Sequence, residues 1–322
     1  MIKSRLIILL SAVMALVASC TYDYFLDNAT YQVYIPQVDN GEVNDAIVLI
    51  YDDDGNLVGK RHWTPGGDPR MDDGLFAFDL PPGHYTTYIY VDVDSTFDFD
   101  DLDKLKPDPN KPGIPGVPGT PLVPGASFTV KKYPDTPDGT TPPPTTGKPK
   151  TGKEEITIPP VGPIQTDTVD LKNIPGRITV RFYRLETPVD LIAKAEVEVR
   201  GIGTRWYIGG DYPVTDPNTF VYTVYNPIVR DETGAYLMIF DDYYFPSIPG
   251  ETITFTFKFY DADGNMLRER VVPVLDDQRQ PAVLGPGDHI IIDVGDQGYT
   301  ITVRPWESDL NNGGNVGGGT LL

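Results

Sequence analysis

Short segments in which apolar and polar residues alternate recur along most of the chain. The alternation is clearest in "AKAEVEVRGI" (193–202) and "TFVYTVYNPIV" (219–229). A period of two predicts β-strands, because successive side chains of a strand point to opposite faces of the sheet. Turn residues recur about every eight to twelve positions, which is typical of β-sandwiches. The pattern therefore predicts an all-β protein of the sandwich type.

The N-terminus breaks this pattern with one continuous apolar run. Lys3 and Arg5 precede "LIILLSAVMALVA" (6–18), a run of 13 residues. A membrane-spanning helix needs about 20 apolar residues, so the run fits a secretory signal better than a membrane span. "VASC" follows it and looks like a bacterial lipobox, which predicts cleavage before Cys20 and lipid on its sulfur. The alternative is an ordinary signal peptide that is cut near Ser19.

Cysteine content limits how the fold is held together. Cys20 is the only cysteine among the 322 residues, so no disulfide can form within the chain and a hydrophobic core must hold the fold. Fatty acyl chains such as palmitate contribute about 0.8 kcal/mol per buried CH2, and two or more give stable anchoring. We expect a mature protein that is tethered to a membrane and is otherwise soluble.

Proline changes the character of the middle of the chain. Residues 107–163 hold 16 of the 32 prolines. Proline has no amide proton and a fixed φ, so regular strand ladders are disfavoured there. We predict a long flexible insertion or linker, in which "ASFTVKKY" (126–133) is a candidate strand. A Pro-rich recognition ligand is the alternative interpretation.

Length completes the predicted organisation. About 300 mature residues are too many for one ordinary sandwich, so we predict two. The first strand of the second domain is also able to complete the first domain. The predicted boundaries are 1–19 for the signal peptide, 20–106 for the N-terminal sandwich, 107–163 for the insertion, 164–308 for the C-terminal sandwich and 309–322 for a flexible Gly/Asn-rich tail.

One decapeptide occurs twice in nearly the same form, as "YDDDGNLVGK" (51–60) and "YDADGNMLRE" (260–269). Its alternating Asp and Asn residues suggest a calcium loop, but an EF-hand loop needs glycine at position 6 and glutamate at position 12. Here the glycine is fourth from the first Asp, and Trp63 and Val272 stand at position 12. Asp-Gly-Asn also suits a tight turn between strands, which favours the same hairpin in two related domains.

Charge and side-chain chemistry point away from several function classes. The net charge of −20 makes nucleic acid an unsuitable partner. His62, His84 and His289 stand in no HExxH or Gly-x-Ser-x-Gly context, and no phosphate-binding glycine loop is present. The acidic run "DFDDLD" (98–103) fits a solvated surface better than a pair of glycosidase carboxylates. We therefore predict no enzyme, no metal site and no cofactor.

Aromatic residues leave one binding hypothesis open. Tyr243, Tyr244 and Phe245, together with Trp206 and Tyr207, could form a surface on which sugars stack. The alternative is that these rings pack in the core of a sheet-rich protein.

Several motifs in this order resemble one known family. The lipobox is followed by "AIVLIYDDDGNLVGKR", by "LPPGHYTTYIYVD" with its Pro-Gly-x-Tyr turn, and by a second β-rich block that ends on "YTITVRPWES". This order is similar to the FimB/Mfa2 family of fimbrial anchor lipoproteins from the Bacteroidetes, over most of residues 20–308. The long Pro-rich insertion departs from the family pattern.

The resemblance implies two transthyretin-like β-sandwich domains and a lipid anchor at the outer membrane, at the cell surface. It also implies a base anchor that tethers a fimbrium, limits its length and accepts a strand from a fibre subunit. A surface glycan-binding lipoprotein is the alternative function. Ser95 and Thr168 lie in short sequences that resemble the O-glycosylation site of the same bacteria.

Overall fold

The computed structural model describes residues 29–93, 97–105, 125–131, 148–183, 189–209, 212–214, 220–230, 236–248, 250–276, 278–295, 298–305 and 314–319. These residues form strands almost throughout, with one short helix α1 (Pro36–Asp39) and 3₁₀ turns at Pro69–Met71 and Val189–Leu191. The all-β prediction is confirmed.

The strands in chain order are β1 (Tyr31–Tyr34), β2 (Ala46–Asp52), β3 (Leu57–Trp63), β4 (Leu75–Phe78), β5 (Gly83–Val91), β6 (Phe97–Asp100), β7 (Ser127–Val130), β8 (Lys150–Ile158), β9 (Gln165–Thr168), β10 (Lys172–Asn173), β11 (Gly176–Tyr183), β12 (Lys194–Arg200), β13 (Arg205–Tyr207), β14 (Tyr212–Val214), β15 (Phe220–Tyr225), β16 (Ile228–Arg230), β17 (Tyr236–Tyr244), β18 (Thr254–Tyr260), β19 (Met266–Pro273), β20 (Asp288–Val294), β21 (Tyr299–Pro305) and β22 (Gly314–Gly319).

The chain divides into two compact units. Unit 1 consists of the described residues up to Val91 together with Thr151–Leu171, and unit 2 of those within Asp92–Lys150 and Lys172–Leu322. Unit 1 thus takes its last strands from a segment some 60 residues further along the chain.

Unit 1 is built from a three-stranded sheet of order β4-β1-β9 and from β8, β5, β2 and β3, which are neighbours in that order in a second sheet. β1 pairs with β4 antiparallel and with β9 in parallel. β2 lies between β3 and β5 and reads "AIVLIYD", nearly all apolar, because both of its faces are buried. Side chains of both sheets, including Tyr31, Val48, Phe76 and Ile89, share one hydrophobic core.

Unit 2 contains a second sandwich. A six-stranded sheet of order β16-β17-β11-β20-β21-β22 shares a core with a four-stranded sheet of order β15-β12-β18-β19. The Phe182 ring of the first sheet meets the Phe257 ring of the second edge-on, with centroids 4.8 Å apart. A third sheet of unit 2 has the order β14-β13-β7-β6 and packs Phe97 and Phe128 at 4.8 Å.

These units differ from the predicted division of the chain. β6 lies in the predicted N-terminal domain and β7 in the predicted insertion, yet both belong to a sheet of unit 2. β8 also lies within 107–163 and joins a sheet of unit 1, as β9 does from the start of the predicted second domain. The proline-rich stretches of the insertion, 106–124 and 132–147, lie outside the described residues.

The repeated decapeptide forms the same hairpin turn in both units. The Asp52 amide donates to the Asn56 carbonyl at 3.0 Å, and the Asn56 amide donates to Asp52 Oδ1 at 2.8 Å. Asp261 and Asn265 repeat both bonds at 3.0 and 2.8 Å. The first aspartate of each copy therefore holds the turn with its carboxylate, which supports the hairpin hypothesis over the calcium loop.

Backbone conformation explains the glycine in each copy. Gly55 and Gly264 have φ of +79° and +84°, the left-handed region that other residues enter with strain. A third turn, from Asp276 to Gln280, has the same two bonds, but Arg279 occupies the left-handed position with φ of +60°. The turn thus depends more on its aspartate than on its glycine.

Replacement of the turn glycine tests whether the left-handed backbone at Gly264 is strained for another residue. Gly264→Ala should lower the free energy of unfolding of unit 2 by about 1 kcal/mol, through backbone strain alone. A Cβ at this position would meet no atom within 4 Å, so no clash contributes. Urea denaturation of the purified chain measures the change.

Gly295→Ala is the matched control. Gly295 has no positive φ, and a Cβ there would contact only the Gly298 carbonyl oxygen at 3.8 Å. Its stability should stay within about 0.5 kcal/mol of the wild type. Equal stability of both variants would contradict the assignment of strain to Gly264.

Candidate strand-accepting edges

The sequence predicts that the functional parts are Cys20 and the edges of the sheets, and no reactive side chain. Cys20 lies outside the described residues. Within the described part of the chain, no helix is long and apolar enough to cross a membrane. The edge strands of the sheets are candidate binding sites, because an edge strand presents backbone donors and acceptors to any further strand.

In unit 1, β3 forms a charged edge. Lys60 and His62 are exposed along it, and the Arg61 guanidinium lies 5.1 Å from the centre of the Phe78 ring. A Cβ at Gly59 would come within 3.0 Å of the same ring, so β3 packs tightly against β4 here. Charged side chains on an edge disfavour the addition of another strand.

The β9 edge of unit 1 is short and polar. It reads "QTDT", with Thr166 and Thr168 exposed. Thr168 therefore lies on the surface, where a glycan could be attached, whereas Ser95 lies outside the described residues. With no apolar side chain of its own, β9 offers an incoming strand little to pack against.

In unit 2, the two edges of the four-stranded sheet differ. β19 carries "RER" at 268–270 and is protected by charge in the same way as β3. β15 exposes Val221 and Tyr225, which lie opposite Glu198 and Lys194 on the outer face of the sheet. Its core-facing Tyr222 is already buried.

The six-stranded sheet has β16 at one edge and β22 at the other. β22 pairs antiparallel with β21, in a segment that the sequence predicts to be a flexible tail. This corrects the prediction for 314–319. Glycine has the amide and carbonyl groups that a ladder needs, although it supplies no side chain and therefore no alternation to detect.

The register of this pair is informative. Tyr299, Ile301 and Val303 are the β21 residues that belong to the core of unit 2 or pack against it. Residues directly opposite each other in an antiparallel pair lie on the same face. The positions opposite these three are Gly319, Gly317 and Gly314, with a bulge between Ile301 and Thr302. β22 therefore pairs with β21 and places glycine opposite each of these three residues.

A hydrogen-bonded cluster ties together the middle of the same sheet. Arg177 Nε donates to Asp241 Oδ1 at 2.8 Å, and Thr179 Oγ1 donates to the same oxygen at 2.7 Å. His289 Nε2 lies 2.7 Å from Thr179 Oγ1. The cluster joins β17, β11 and β20. Because Thr179 gives its only proton to Asp241, His289 must donate its own proton to Thr179.

The charge states in this cluster follow from its surroundings. Burial, and then the positive charges of Arg177 and Arg304, lower the pKa of His289 to about 4. Burial opposes ionisation of Asp241, but the hydrogen bonds from Arg177 and Thr179 outweigh it and lower the pKa of Asp241. A neutral histidine that donates to a hydroxyl does not act as the base of a nucleophile. The arrangement braces the sheet.

The other candidate residues for chemistry lie elsewhere. His84 lies on β5, where its Nδ1 is 2.8 Å from Thr157 Oγ1, and His62 is exposed on β3. In the acidic run 98–103, Asp100 accepts a hydrogen bond from Thr129 at 3.2 Å. Among the described residues, no group of three or more His, Cys, Asp or Glu is placed to hold a metal ion.

The hypothesis of a sugar-stacking surface is wrong for most of its residues. Trp206, Tyr207, Tyr244 and Phe245 are all buried, and the rings of Trp206 and Phe245 pack 5.6 Å apart. Tyr243 alone among the five is partly exposed. Most of this run of aromatic residues therefore belongs to the core.

The chain is similar to known proteins in both family and fold. The model of the family described as fimbrillin-A associated anchor proteins Mfa1 and Mfa2 matches residues 29–312. No curated protein matches the chain.

Several solved structures are similar to the chain, and the first two below share its fold. A predicted adhesin from Bacteroides ovatus is 10% identical, with a TM-score of 0.53 over 76% of this chain and 83% of its own. A second one from the same species is 14% identical, with a TM-score of 0.50 over 88% and 94%. The fimbrial anchor protein Mfa2 from Porphyromonas gingivalis is 13% identical, with a TM-score of 0.46 over 86% and 97%.

The histidine cluster gives a pH-dependent prediction. The pKa of His289 is about 4 in the folded state and about 6.5 in the unfolded state, so the unfolded state binds more protons between these values. Stability is therefore complete above pH 6.5 and falls as the pH drops towards 4, by up to about 3 kcal/mol from this residue.

His289→Gln keeps a donor for Thr179 and removes the titration. The variant should lose less stability than the wild type between pH 7 and 4, as measured by urea denaturation at a series of pH values. Parallel curves for the two proteins over this range would show that His289 does not contribute.

Proposed function

The chain belongs to the family of fimbrillin-A associated anchor proteins, and from this premise we propose that it is the lipid-anchored base subunit of a fimbrium. It would tether the fibre to the outer membrane, at the cell surface, by accepting a strand from a fibre subunit. Association with fimbriae follows from the family. The lipid, the accepted strand and the control of fibre length are the parts that we propose.

The N-terminus supports the anchoring half of the proposal. The signal-like run 6–18 and the small residues before Cys20 provide what lipid attachment needs. Cys20 is the only cysteine, so no disulfide competes for its sulfur. Two or more acyl chains at the first mature residue hold a protein to a bilayer without any membrane-spanning helix.

The sheet edges support the accepting half. An added strand gains main-chain hydrogen bonds along its whole length, and its alternate side chains determine which partner fits. Charge protects β3 and β19, and β9 is polar. The β22 edge is different, since β22 carries no charged residue and pairs with β21, whose Tyr299, Ile301 and Val303 belong to the core of unit 2 or pack against it. This edge is the single observation that carries the strand-accepting role.

A base subunit of this kind also fixes the length of the fibre. A subunit whose N-terminus is held by lipid ends the fibre at the membrane, because the lipid prevents further growth beyond it. The family is described as fimbrillin-A associated anchor proteins, and an anchor needs no reactive side chain. The glycan-binding alternative is less well supported, because four of its five aromatic residues are buried in the core.

The lipid anchor is tested by Cys20→Ala in the full precursor. The variant should move from the membrane fraction to the soluble fraction and lose labelling by a radioactive fatty acid, because the chain then has no thiol to carry the lipid. Ser19→Ala is the control, since alanine is also small and leaves Cys20 in place. A Cys20→Ala protein that stays in the membrane fraction would contradict lipid anchoring.

The base-anchor role is tested in cells that lack this protein. Fimbriae should become longer and appear in the culture medium, because nothing fixes or ends their base. A tagged copy of the chain should also recover fibre subunits from detergent extracts. Fimbriae of normal length that stay on the cells, with no fibre subunit recovered, would overturn the proposed function.

A further inference from the structure

We propose that the guanidinium of Arg270, on the edge strand β19, is a binding site for a carboxylate that an acidic side chain of a partner protein supplies. The proposal goes beyond the function proposed above, because it concerns the four-stranded sheet of unit 2 and not the β22 edge, which belongs to the other sheet of the sandwich. It rests on a cation that lies where the core of unit 2 calls for an apolar residue.

Arg270 points towards the core of unit 2. It lies directly opposite Phe257 in the pair of β18 and β19, and residues opposite each other in an antiparallel pair share a face. Phe257 is fully buried in the core, as is Val272, which follows Arg270 by two positions on the same face. Only 8% of Arg270 is exposed. A charged side chain therefore occupies a core-facing position on an edge strand.

The guanidinium of Arg270 lacks the partner that such burial requires. Its Nη1 donates to the carbonyl of the neighbouring Glu269 at 3.3 Å, and its Nε is buried without a hydrogen-bond partner. Among the described residues, no carboxylate forms an ion pair with it. The side chain of Glu269 is exposed and lies opposite Lys258 on the outer face of the sheet. A buried cation without an anion is costly, because burial removes the water that solvates its charge.

A shortage of carboxylates does not explain the unpaired guanidinium. The chain has 46 acidic residues against 26 lysines and arginines. Other arginines of unit 2, which are more exposed, form ion pairs with carboxylates: Arg177 with Asp241, Arg181 with Asp293 and Arg200 with Glu198. Arg270 is the most buried of these arginines, and the described chain supplies no anion for it. Its guanidinium is therefore available to a carboxylate from another molecule.

A carboxylate is the anion that suits this site. A guanidinium binds a carboxylate through two parallel hydrogen bonds, and such charge-assisted bonds are about twice as strong as neutral ones. Arg268 lies on the same face, two positions before Arg270, and adds a second positive charge. A carboxylate bound here would compensate the buried charge of Arg270, which gives the site a reason to prefer an acidic ligand over a neutral one.

The position on an edge strand indicates what carries the carboxylate. No strand of the sheet lies beyond β19 in the described chain, so Arg270 can be approached from that side. The same side presents the backbone donors and acceptors of β19, which suit the peptide groups of an extended segment. An acidic residue within such a segment meets both features, whereas an acidic sugar meets only the guanidinium. The charge also discriminates, since a segment without a carboxylate would leave Arg270 buried and unpaired.

Binding of short peptides tests the site. The probe is a dye-labelled peptide Thr-Val-Glu-Val-Thr that is blocked at both ends, and the matched control replaces its glutamate by glutamine. A third peptide has the glutamine and a free C-terminal carboxylate. Each is titrated by fluorescence anisotropy with the mature chain carrying Cys20→Ala, and with the same chain carrying in addition Arg270→Met or Arg200→Met. Arg200 is exposed and pairs with Glu198, so its replacement removes the same charge from another place.

The glutamate peptide should bind about tenfold more tightly than the glutamine peptide. Arg270→Met should abolish this difference, whereas Arg200→Met should preserve it. Arg270→Met should also raise the thermal midpoint, because an apolar side chain of similar length replaces an unpaired buried charge. A loss of binding together with a gain in stability separates the loss of the site from unfolding.

Equal binding of the glutamate and glutamine peptides would overturn the site, and so would a preference for glutamate that persists in the Arg270→Met chain. A fall in the thermal midpoint of Arg270→Met would show that the chain itself satisfies this charge, with the same consequence. Tighter binding of the peptide with the free C-terminus would assign the guanidinium to a chain end and overturn the side-chain source. Galacturonate that displaces the glutamate peptide at equal concentration would assign it to an acidic sugar and overturn the peptide carrier. Recovery of fibre subunits tests the base-anchor role separately, since that role is proposed for the β22 edge.

Discussion

The fold depends on completing the hydrogen bonds of strands with segments that lie far away in the sequence. Tyr31 of β1 pairs with Gln165 of β9, and Phe128 of β7 pairs with Trp206 of β13. With a single cysteine in the chain, no disulfide can close these long loops. These strand pairings and the hydrophobic cores next to them stabilise both units. Each sheet also has edge strands, whose outer backbone groups have no strand partner.

This constraint explains what the sequence could predict. Hydrophobic alternation is local, so the sequence pattern predicts strands such as β12 and β18 directly. It also predicts the Asp-Gly-Asn turn, because the hydrogen bonds of that turn lie within five residues. The partner of a strand is not a local property. The assignment of β6, β7 and β8 to their sheets therefore differs from a division of the chain into consecutive domains.

The candidate site was harder to predict for two physical reasons. Glycine forms a strand through its backbone and leaves no side-chain pattern, so the sequence of β22 is typical of a flexible tail. Burial also cannot be read from aromatic letters alone: Tyr243 is partly exposed, while its neighbour Tyr244 is buried, because successive residues of β17 face opposite sides of the sheet. The role of His289 likewise depends on Thr179 and Asp241, which lie far from it in the sequence and close to it in the sheet.

An assembly protein must keep its acceptor edge soluble and yet usable. Permanent charge achieves only solubility, and β3 and β19 are protected in this way on strands that have other roles in their sheets. β22 has no charged residue, and it places glycine opposite each β21 residue that belongs to the core or packs against it. Glycine completes the ladder with its backbone alone. Under the proposed function, a strand-accepting role therefore depends on an uncharged edge, where main-chain hydrogen bonds supply affinity, and not on a reactive side chain.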